Sequence, residues 1–521
     1  MGLIGMSSQP SQIQDDDDEQ PDSSASKLRM IWILLFLFLC IIVGGGTYGI
    51  VSSFRTKASS SSLTSSASPS TVVTDDIFPT ERPTLTPSNI PTFTETYSEE
   101  QLKMQLFLQQ KVSPKIMDQS SYHFQAWNWL AKEDPEKIQL NSSDGEIRII
   151  QRFVLTLLYF SMGGTGWISN LFLTQDHECN WWGIICSESF GIQSIQMNNT
   201  NMIGSLPSEL SLLTSLELIT FADNKLNGTI PDSVWNLKSL KLFNLSRNEM
   251  TGSIPTQIWS CESLRAVILN ENRFSGEFPE VTNNDSKISL FFIAYNNMSG
   301  SLPESIWDLS SLTFLLLDHN SFVGNFPQIN KGSIPLKILK VNHNFFENSL
   351  PSLDDMPNLS KCKNFHFHLC DPNQPNAKSN LENVTFHSNR FSSSIPDSWW
   401  KSTSLQYLDL SENSLTGTLP TWINMSGLKF LYLNNNSLSG SLPQSLPKSL
   451  SEAWFQDNNF TGTIPKTMGD DLQDLWWLKL EGNRLSGTMP NQLCDVKNLT
   501  VDCSKDSPFL VECECCQNCF G

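Results

Sequence analysis

From Ile192 onward, apolar and polar positions follow a fixed beat. The pattern LxxLxLxxNxLxGxIP appears first as IQSIQMNNTNMIGSLP and then as LELITFADNKLNGTIP. Its inner apolar position falls at Ile195, Ile219, Phe243, Val267, Phe291, Leu315 and Leu339, a constant 24-residue period. After a 45-residue step it resumes at Val384, Leu408, Leu431, Ala453 and Leu478, which makes twelve repeats. A unit this short cannot bury its own apolar face, so the units must stack into a solenoid with one continuous core.

Each conserved-looking position of the repeat has a physical task. The LxL portion predicts a short strand, and stacked strands make one parallel sheet lining the concave side. The Asn, at 224, 248, 272, 296, 320, 344, 389, 413, 436, 458 and 483, closes each turn with a buried amide that pairs with backbone groups; the first repeat has Thr200 instead. Gly, kept in ten repeats and replaced by Asn348 and Ser393 in the others, allows a backbone other residues resist. Pro, from Pro207 to Pro490, fixes φ in all twelve as the chain turns to the convex side.

Three helical patterns precede the repeats, over Glu99–Lys111, Tyr122–Lys132 and Glu146–Phe160, the last stopped by Gly163-Gly164. They predict a helical cap covering residues 98–191. Upstream, residues 1–29 are polar and acidic and predict a disordered tail. Residues 30–51 carry no charge and begin IWILLFLFLCIIV after Met30. About 20 apolar residues cross a bilayer, so this segment predicts a transmembrane helix acting as a signal-anchor. A cleaved signal peptide is the rival, and the long polar lead favours the anchor. Residues 52–97, rich in Ser, Thr and Pro, predict an extended stalk.

The pattern LxxLxLxxNxLxGxIP resembles the plant-type leucine-rich repeat of receptor-like kinases, receptor-like proteins and polygalacturonase-inhibiting proteins. The run Cys179-Asn180-Trp181-Trp182-Gly183-Ile184-Ile185-Cys186 resembles that family's N-terminal cap, with its disulfide and tryptophan. The N-terminal anchor and the ending VECECCQNCFG depart from the plant receptors and are similar to single-pass leucine-rich repeat proteins of microalgae. The resemblance implies an α/β solenoid: a superhelix of twelve repeats with a parallel concave sheet over 192–493, a helical N-terminal cap and a Cys-rich C-terminal cap over 494–521. It implies little about the ligand.

Charge and cysteine use narrow the function. Asp and Glu number 53 against 34 Lys and Arg, a net charge of −19, which argues against a nucleic-acid partner. The Cys are grouped as Cys179/Cys186, Cys362/Cys370 and a C-terminal set of Cys494, Cys503, Cys513, Cys515, Cys516 and Cys519. Such grouping predicts disulfides in an oxidising compartment. Basic residues flank the apolar span evenly, so the cysteines decide orientation: N-terminus cytosolic, repeats extracellular or lumenal, at the plasma membrane or another endomembrane-derived surface. Cys261 is left over, as a buried thiol or an intermolecular bridge. The sequence contains no GxxxxGK loop, HExxH, GxSxG or kinase signature, so neither an enzyme nor a cofactor is expected.

Binding is expected on the concave face, on the order of 50 Å long for twelve strands. Residues flanking the inner position give two apolar zones: Leu290, Phe292, Phe314 and Leu316, and then Tyr407, Phe430, Tyr432, Trp454 and Trp477, with Asp409 among them. Aromatic clusters of this kind are hot-spot chemistry for peptide or glycan, or else they pack sideways on each other. Trp235, Trp259, Trp307 and Trp400 each follow a repeat proline by four residues, as a second contact face or as packing of the convex turns. Twelve glycosylation sequons include Asn227, Asn244, Asn297, Asn383, Asn435 and Asn459; glycans at Asn244 or Asn383 would leave the C-terminal aromatics as the open stretch. The chain therefore reads as a membrane-anchored, non-catalytic recognition module needing a signalling co-receptor. An adhesive or wall-associated glycoprotein, or an inhibitor of secreted hydrolases, is the alternative.

The period fails over 352–380, where Cys362, His366, His368 and Cys370 fall together. CxxxHxHxC lacks zinc-ribbon spacing, so a loop-closing disulfide is favoured over a metal site. Peptide mapping without reduction should recover Cys362 linked to Cys370; stoichiometric zinc in the purified protein would contradict this.

Overall fold

The structure, a computed structural model, describes residues 97–520 apart from 170, 330–333, 354–380, 424, 471, 504–510 and 517. The predicted tail, membrane span, most of the stalk and the Cys362–Cys370 loop lie outside the described residues. Among the described residues no helix is long and apolar enough to cross a membrane.

Three helices open the described chain. Helix α1 (Glu99–Lys111) starts at Ser98, whose hydroxyl accepts from the Gln101 backbone amide while the Gln101 side chain accepts from Ser98. Helix α2 (Tyr122–Asn128) runs into a wider turn, Trp129–Glu133. Helix α3 (Gly145–Ser161) is the buried one. Arg152 on α3 is fully buried, and its charge is met by Asp134 at 2.6 Å and Glu178 at 3.2 Å, with its guanidinium 4.6 Å from the Trp181 ring. A buried charge is tolerable only when paired in this way. The Cys179–Cys186 disulfide forms, and Ile184–Cys186 pairs antiparallel with the first strand of the solenoid.

The rest is twelve coils, numbered by their inner residues from Ile195 to Leu478. Each contributes a strand to one sheet, and each inner residue pairs with the next: Ile195 with Ile219, Ile219 with Phe243, and so on to Leu478. Among the described residues the sheet has fifteen strands. The extra ones are Ile184–Cys186 and, beyond coil 12, Asn498–Asp502 and Asn518–Phe520 from the Cys-rich segment. The break in the repeat does not break the sheet, because Leu339 pairs directly with Val384.

Asparagine holds the coils in register. The Asn320 amide donates to the carbonyls of Ile293 (2.9 Å), Leu317 (3.1 Å) and Asp318 (3.3 Å), and its oxygen accepts from the Met298 amide (2.9 Å). Asn389 reaches back across the insertion to the Val341 carbonyl in the same way. Each Asn thus satisfies backbone groups of its own coil and the preceding one that the stacked coils bury or half-bury. The glycine of the repeat sits at positive φ; at Gly440 (φ +81°) a Cβ would also lie 2.8 Å from the Thr418 methyl of the coil before.

Packing decides between two readings and corrects one expectation. Trp235, Trp259, Trp307 and Trp400 are buried, so of their two readings the packing of the convex turns holds. The short turn after each proline points the first three inward against phenylalanines: Trp235 lies 5.3 Å from Phe243, Trp259 5.5 Å from Phe291 and Trp307 5.9 Å from Phe326. Asp409 is also buried, at 7% exposure, because its carboxylate closes a turn: it accepts from the Ser411 hydroxyl (2.6 Å) and amide (3.1 Å). Asn244 holds Ser246 identically in coil 3, at 2.8 and 2.9 Å.

Two stability experiments follow from these contacts. Asn320→Ala strands a buried amide and several carbonyls at about 1–3 kcal/mol each, so it should lower unfolding free energy by about 3 kcal/mol or more in a denaturant titration. Exposed Ser414→Ala should stay within about 0.5 kcal/mol. Burial holds the Asp409 carboxyl above its usual range, with His387 and the Ser411 contacts pulling the other way. The unfolded chain gives up this proton more readily, so stability falls as pH rises from the ordinary carboxylate range through the raised folded value. Asp409→Asn, which copies the Asn244 arrangement, should therefore raise the melting temperature in neutral buffer and alter it little in acid.

Candidate ligand-binding face

Strand residues on either side of the inner position point away from the core, into the hollow of the solenoid. The structure divides the two expected apolar zones. In the middle zone Leu290 (0% exposed) and Phe292 (3%) are covered, while Phe314 and Leu316 are half-buried. Phe292 pairs with Ile268 on one side and Leu316 on the other, and Leu290 sits between Ala266 and Phe314. At strand spacing of ~4.8 Å, bulky neighbours close over one another, so Phe292 is not available to a ligand.

The C-terminal zone stays open. Tyr407, Phe430, Tyr432, Trp454 and Trp477 are all half-buried, and the neighbouring Trp476 is 41% exposed. Their rings run from coil to coil: Tyr407 to Phe430 at 5.7 Å, Tyr407 to Tyr432 at 5.5 Å, Tyr432 to Trp454 at 4.5 Å and Trp454 to Trp477 at 5.6 Å. All four contacts are tilted or edge-on, which gives a corrugated surface. The rings brace one another sideways, and each keeps an accessible part.

Three polar side chains, Lys479, Glu452 and Glu481, complete this zone. The Lys479 ammonium lies 4.1 Å from the Trp454 ring and 4.9 Å from that of Trp477. The Tyr432 hydroxyl donates to Glu452 at 2.6 Å, and Glu481 accepts from the Thr500 hydroxyl. Burial first, and then its Glu452 partner, hold the Tyr432 hydroxyl above its ordinary pKa; burial and Asp409 do the same to Tyr407. Both phenols are donors fixed on carboxylates. The strand register brings these groups together, and nothing in the local motif marks Glu452 as different from any other strand residue.

A second feature lies on one rim. Tyr295 stacks on His319 at 3.9 Å, His319 lies 4.1 Å from His343, and His343 is 4.8 Å from His387. Tyr295, His319 and His343 occupy the same left-handed position in coils 5, 6 and 7, at φ +56°, +54° and +53°. Their 24-residue spacing was the signal available in the sequence. Among the described residues no group of three or more His, Cys, Asp or Glu could hold a metal ion. Cys362, His366, His368 and Cys370 lie outside the described residues.

Remaining site residues fall as follows. In the C-terminal segment Cys494 bonds Cys515, Cys503 bonds Cys519 and Cys513 bonds Cys516, while Cys261 is a buried free thiol, raised by burial to about 12. Of the sequons, Asn227, Asn297 and Asn435 are exposed, and Asn244, Asn383 and Asn459 are half-buried. Asn244 and Asn383 stand on the concave sheet, Asn244 six coils before the aromatic row and Asn383 on the strand next to it, paired with Tyr407.

The family model described as Leucine Rich Repeat matches residues 404–425 and 427–448, which hold coils 9 and 10. No curated protein matches. Among solved structures, the chain is similar to a plant peptide hormone receptor, RGFR1, in complex with RGF2 (28% identity, 58% of this chain and 50% of that one, TM-score 0.48). It is similar to the Arabidopsis receptor kinase HAESA in complex with the peptide hormone IDA and the co-receptor SERK1 (21%, 64% and 65%, TM-score 0.45). It is also similar to the BIR3–SERK2 complex from Arabidopsis thaliana (31%, 27% and 76%, TM-score 0.26). The chain spans half the length of the first of these and just under two thirds of the second. Two matched repeats continuous with ten more of the same pattern, all stacked in one register behind an asparagine ladder, identify the solenoid of this chain as an array of leucine-rich repeats.

Proposed function

We propose that this chain is a membrane-anchored, extracellular or lumenal recognition module that captures a peptide or glycan with the C-terminal third of its concave face. The half-buried row Tyr407, Phe430, Tyr432, Trp454 and Trp477 carries this reading. Rigid aromatic rings with one accessible side supply large contact area at small entropic cost, and clustered aromatics dominate binding hot spots. Anchoring rests on the uncharged segment 30–51, and the outward orientation on the disulfides at the far end of the chain. In this reading the chain performs no chemistry, and a signal crosses the membrane through a co-receptor.

A second reading, an adhesive or wall-associated glycoprotein, draws on the Ser/Thr/Pro composition of residues 52–97, which suits a spacer holding the solenoid away from the bilayer. The two separate experimentally. Full-length protein in nanodiscs, screened against peptide and glycan arrays, should capture a ligand, and the Tyr432→Ala, Trp454→Ala double variant should lose it by at least about ten-fold. Its melting temperature should fall by only a few degrees. Undiminished capture by the double variant contradicts recognition at this face, and a large stability loss assigns the rings to packing.

A further inference from the structure

The charge of the concave face is unevenly spread. Each coil presents seven residues from just before its strand to its rim. In coils 1–8 these segments carry five acidic residues, Glu217, Asp223, Glu271, Asp318 and Glu382, against five basic ones, so they balance. In coils 9–12 (406–412, 429–435, 451–457 and 476–482) they carry Asp409, Glu412, Glu452, Asp457 and Glu481 against Lys429 and Lys479, a net charge of −3. The excess negative charge of the hollow therefore coincides with its open aromatic row.

The side-chain geometry explains what that combination suits. Aromatic faces attract cations through their quadrupole, Trp most strongly, and the attraction grows as water is excluded. The protein already uses this: Lys479 places its ammonium over both Trp454 and Trp477. Behind the rings, Glu452 and Asp409 are buried at the far end of the two tyrosine hydroxyls, at 2.6 and 3.4 Å, so the phenols relay negative charge toward the hollow. On the rim Glu412 and Asp457 are exposed. A carboxylate-backed aromatic cage repels an anionic ligand and gains little from a neutral one beyond stacking.

Resting on the recognition reading above, we infer that the ligand of this face is a basic peptide segment that sets an arginine or lysine side chain against Tyr432 and Trp454, displacing Lys479 from the Trp454 ring. Arginine suits the site best, since its planar guanidinium both stacks on a ring and forms paired hydrogen bonds to a carboxylate. Lys479 is then an internal competitor. Its removal strengthens binding, where removal of an ordinary contact residue would weaken it.

The test uses full-length protein in nanodiscs of uncharged lipid. Its probes are a short fluorescent peptide alternating arginine and glycine, the glutamate–glycine counterpart, and a neutral cello-oligosaccharide. The arginine peptide alone is expected to bind saturably, and raising salt from about 50 to about 300 mM should weaken it. Trp454→Ala should weaken it about ten-fold, as should Glu412→Gln with Asp457→Asn, while Lys479→Met should tighten it several-fold. The inference is overturned if the arginine peptide fails to bind, binds Trp454→Ala equally well, or binds Lys479→Met more weakly. Capture of the cello-oligosaccharide through the same rings, indifferent to salt, would overturn the cationic ligand and leave recognition at this face standing.

Discussion

The stacking of this solenoid depends on one ladder amide in every coil after the first. A solenoid exposes the same difficulty at every turn: where the chain leaves the strand, its carbonyls and amides point into the core and cannot reach water. The ladder asparagines remove that difficulty, each satisfying three carbonyls and one amide, as Asn320 does. Since one of those carbonyls belongs to the preceding coil, the same bonds fix the stacking distance and the register. Strand register in turn decides which side chains stand beside each other in the hollow. The site is thus a consequence of the ladder: Tyr432 meets Trp454 because the residues they flank, Leu431 and Ala453, are paired.

This explains why the irregular stretch over 352–380, which lengthens one step of the repeat from 24 to 45 residues, leaves the sheet intact. Asn389 makes with Val341 the bond that its counterparts make with a residue one period back. Loop closure costs grow slowly with length, so a long excursion is tolerated once both ends are held by paired strands and a ladder amide. The stapled ends of the solenoid follow the same logic. Arg152 with its carboxylates and the Cys179–Cys186 bond hold the first strand, and three disulfides hold the last two strands.

The repeat pattern made the coils, the inner residues and the ladder legible, because each has a fixed residue type at a fixed spacing. The three helices were legible as well, from apolar periodicity and the Gly163-Gly164 stop. What a single repeat could not reveal was contact between repeats. Leu290 and Phe314 occupy equivalent flanking positions, as do Phe292 and Leu316, yet the first of each pair is covered and the second is half-buried. Asp409 looks like an exposed strand residue until Ser411 is seen to take its carboxylate. Asn498–Asp502 lacks the Asn, Gly and Pro signals of the repeat and joins the sheet all the same, held by the Cys503–Cys519 bond. The stacked Tyr295, His319 and His343 rings needed only the 24-residue spacing to be noticed.

The central claim is that ladder-stacked coils leave the C-terminal aromatic row open to solvent in the intact protein. Hydroxyl-radical footprinting of the full-length chain, produced in a host that glycosylates sequons, measures this directly, ring by ring. The account predicts that Trp476, Trp477, Trp454 and Tyr432 are oxidised readily while Trp259 and Trp307, buried against phenylalanines, are protected. Protection of the row to the same degree as Trp259 would mean that the protein's own loops or sugars fill the hollow, and would contradict it.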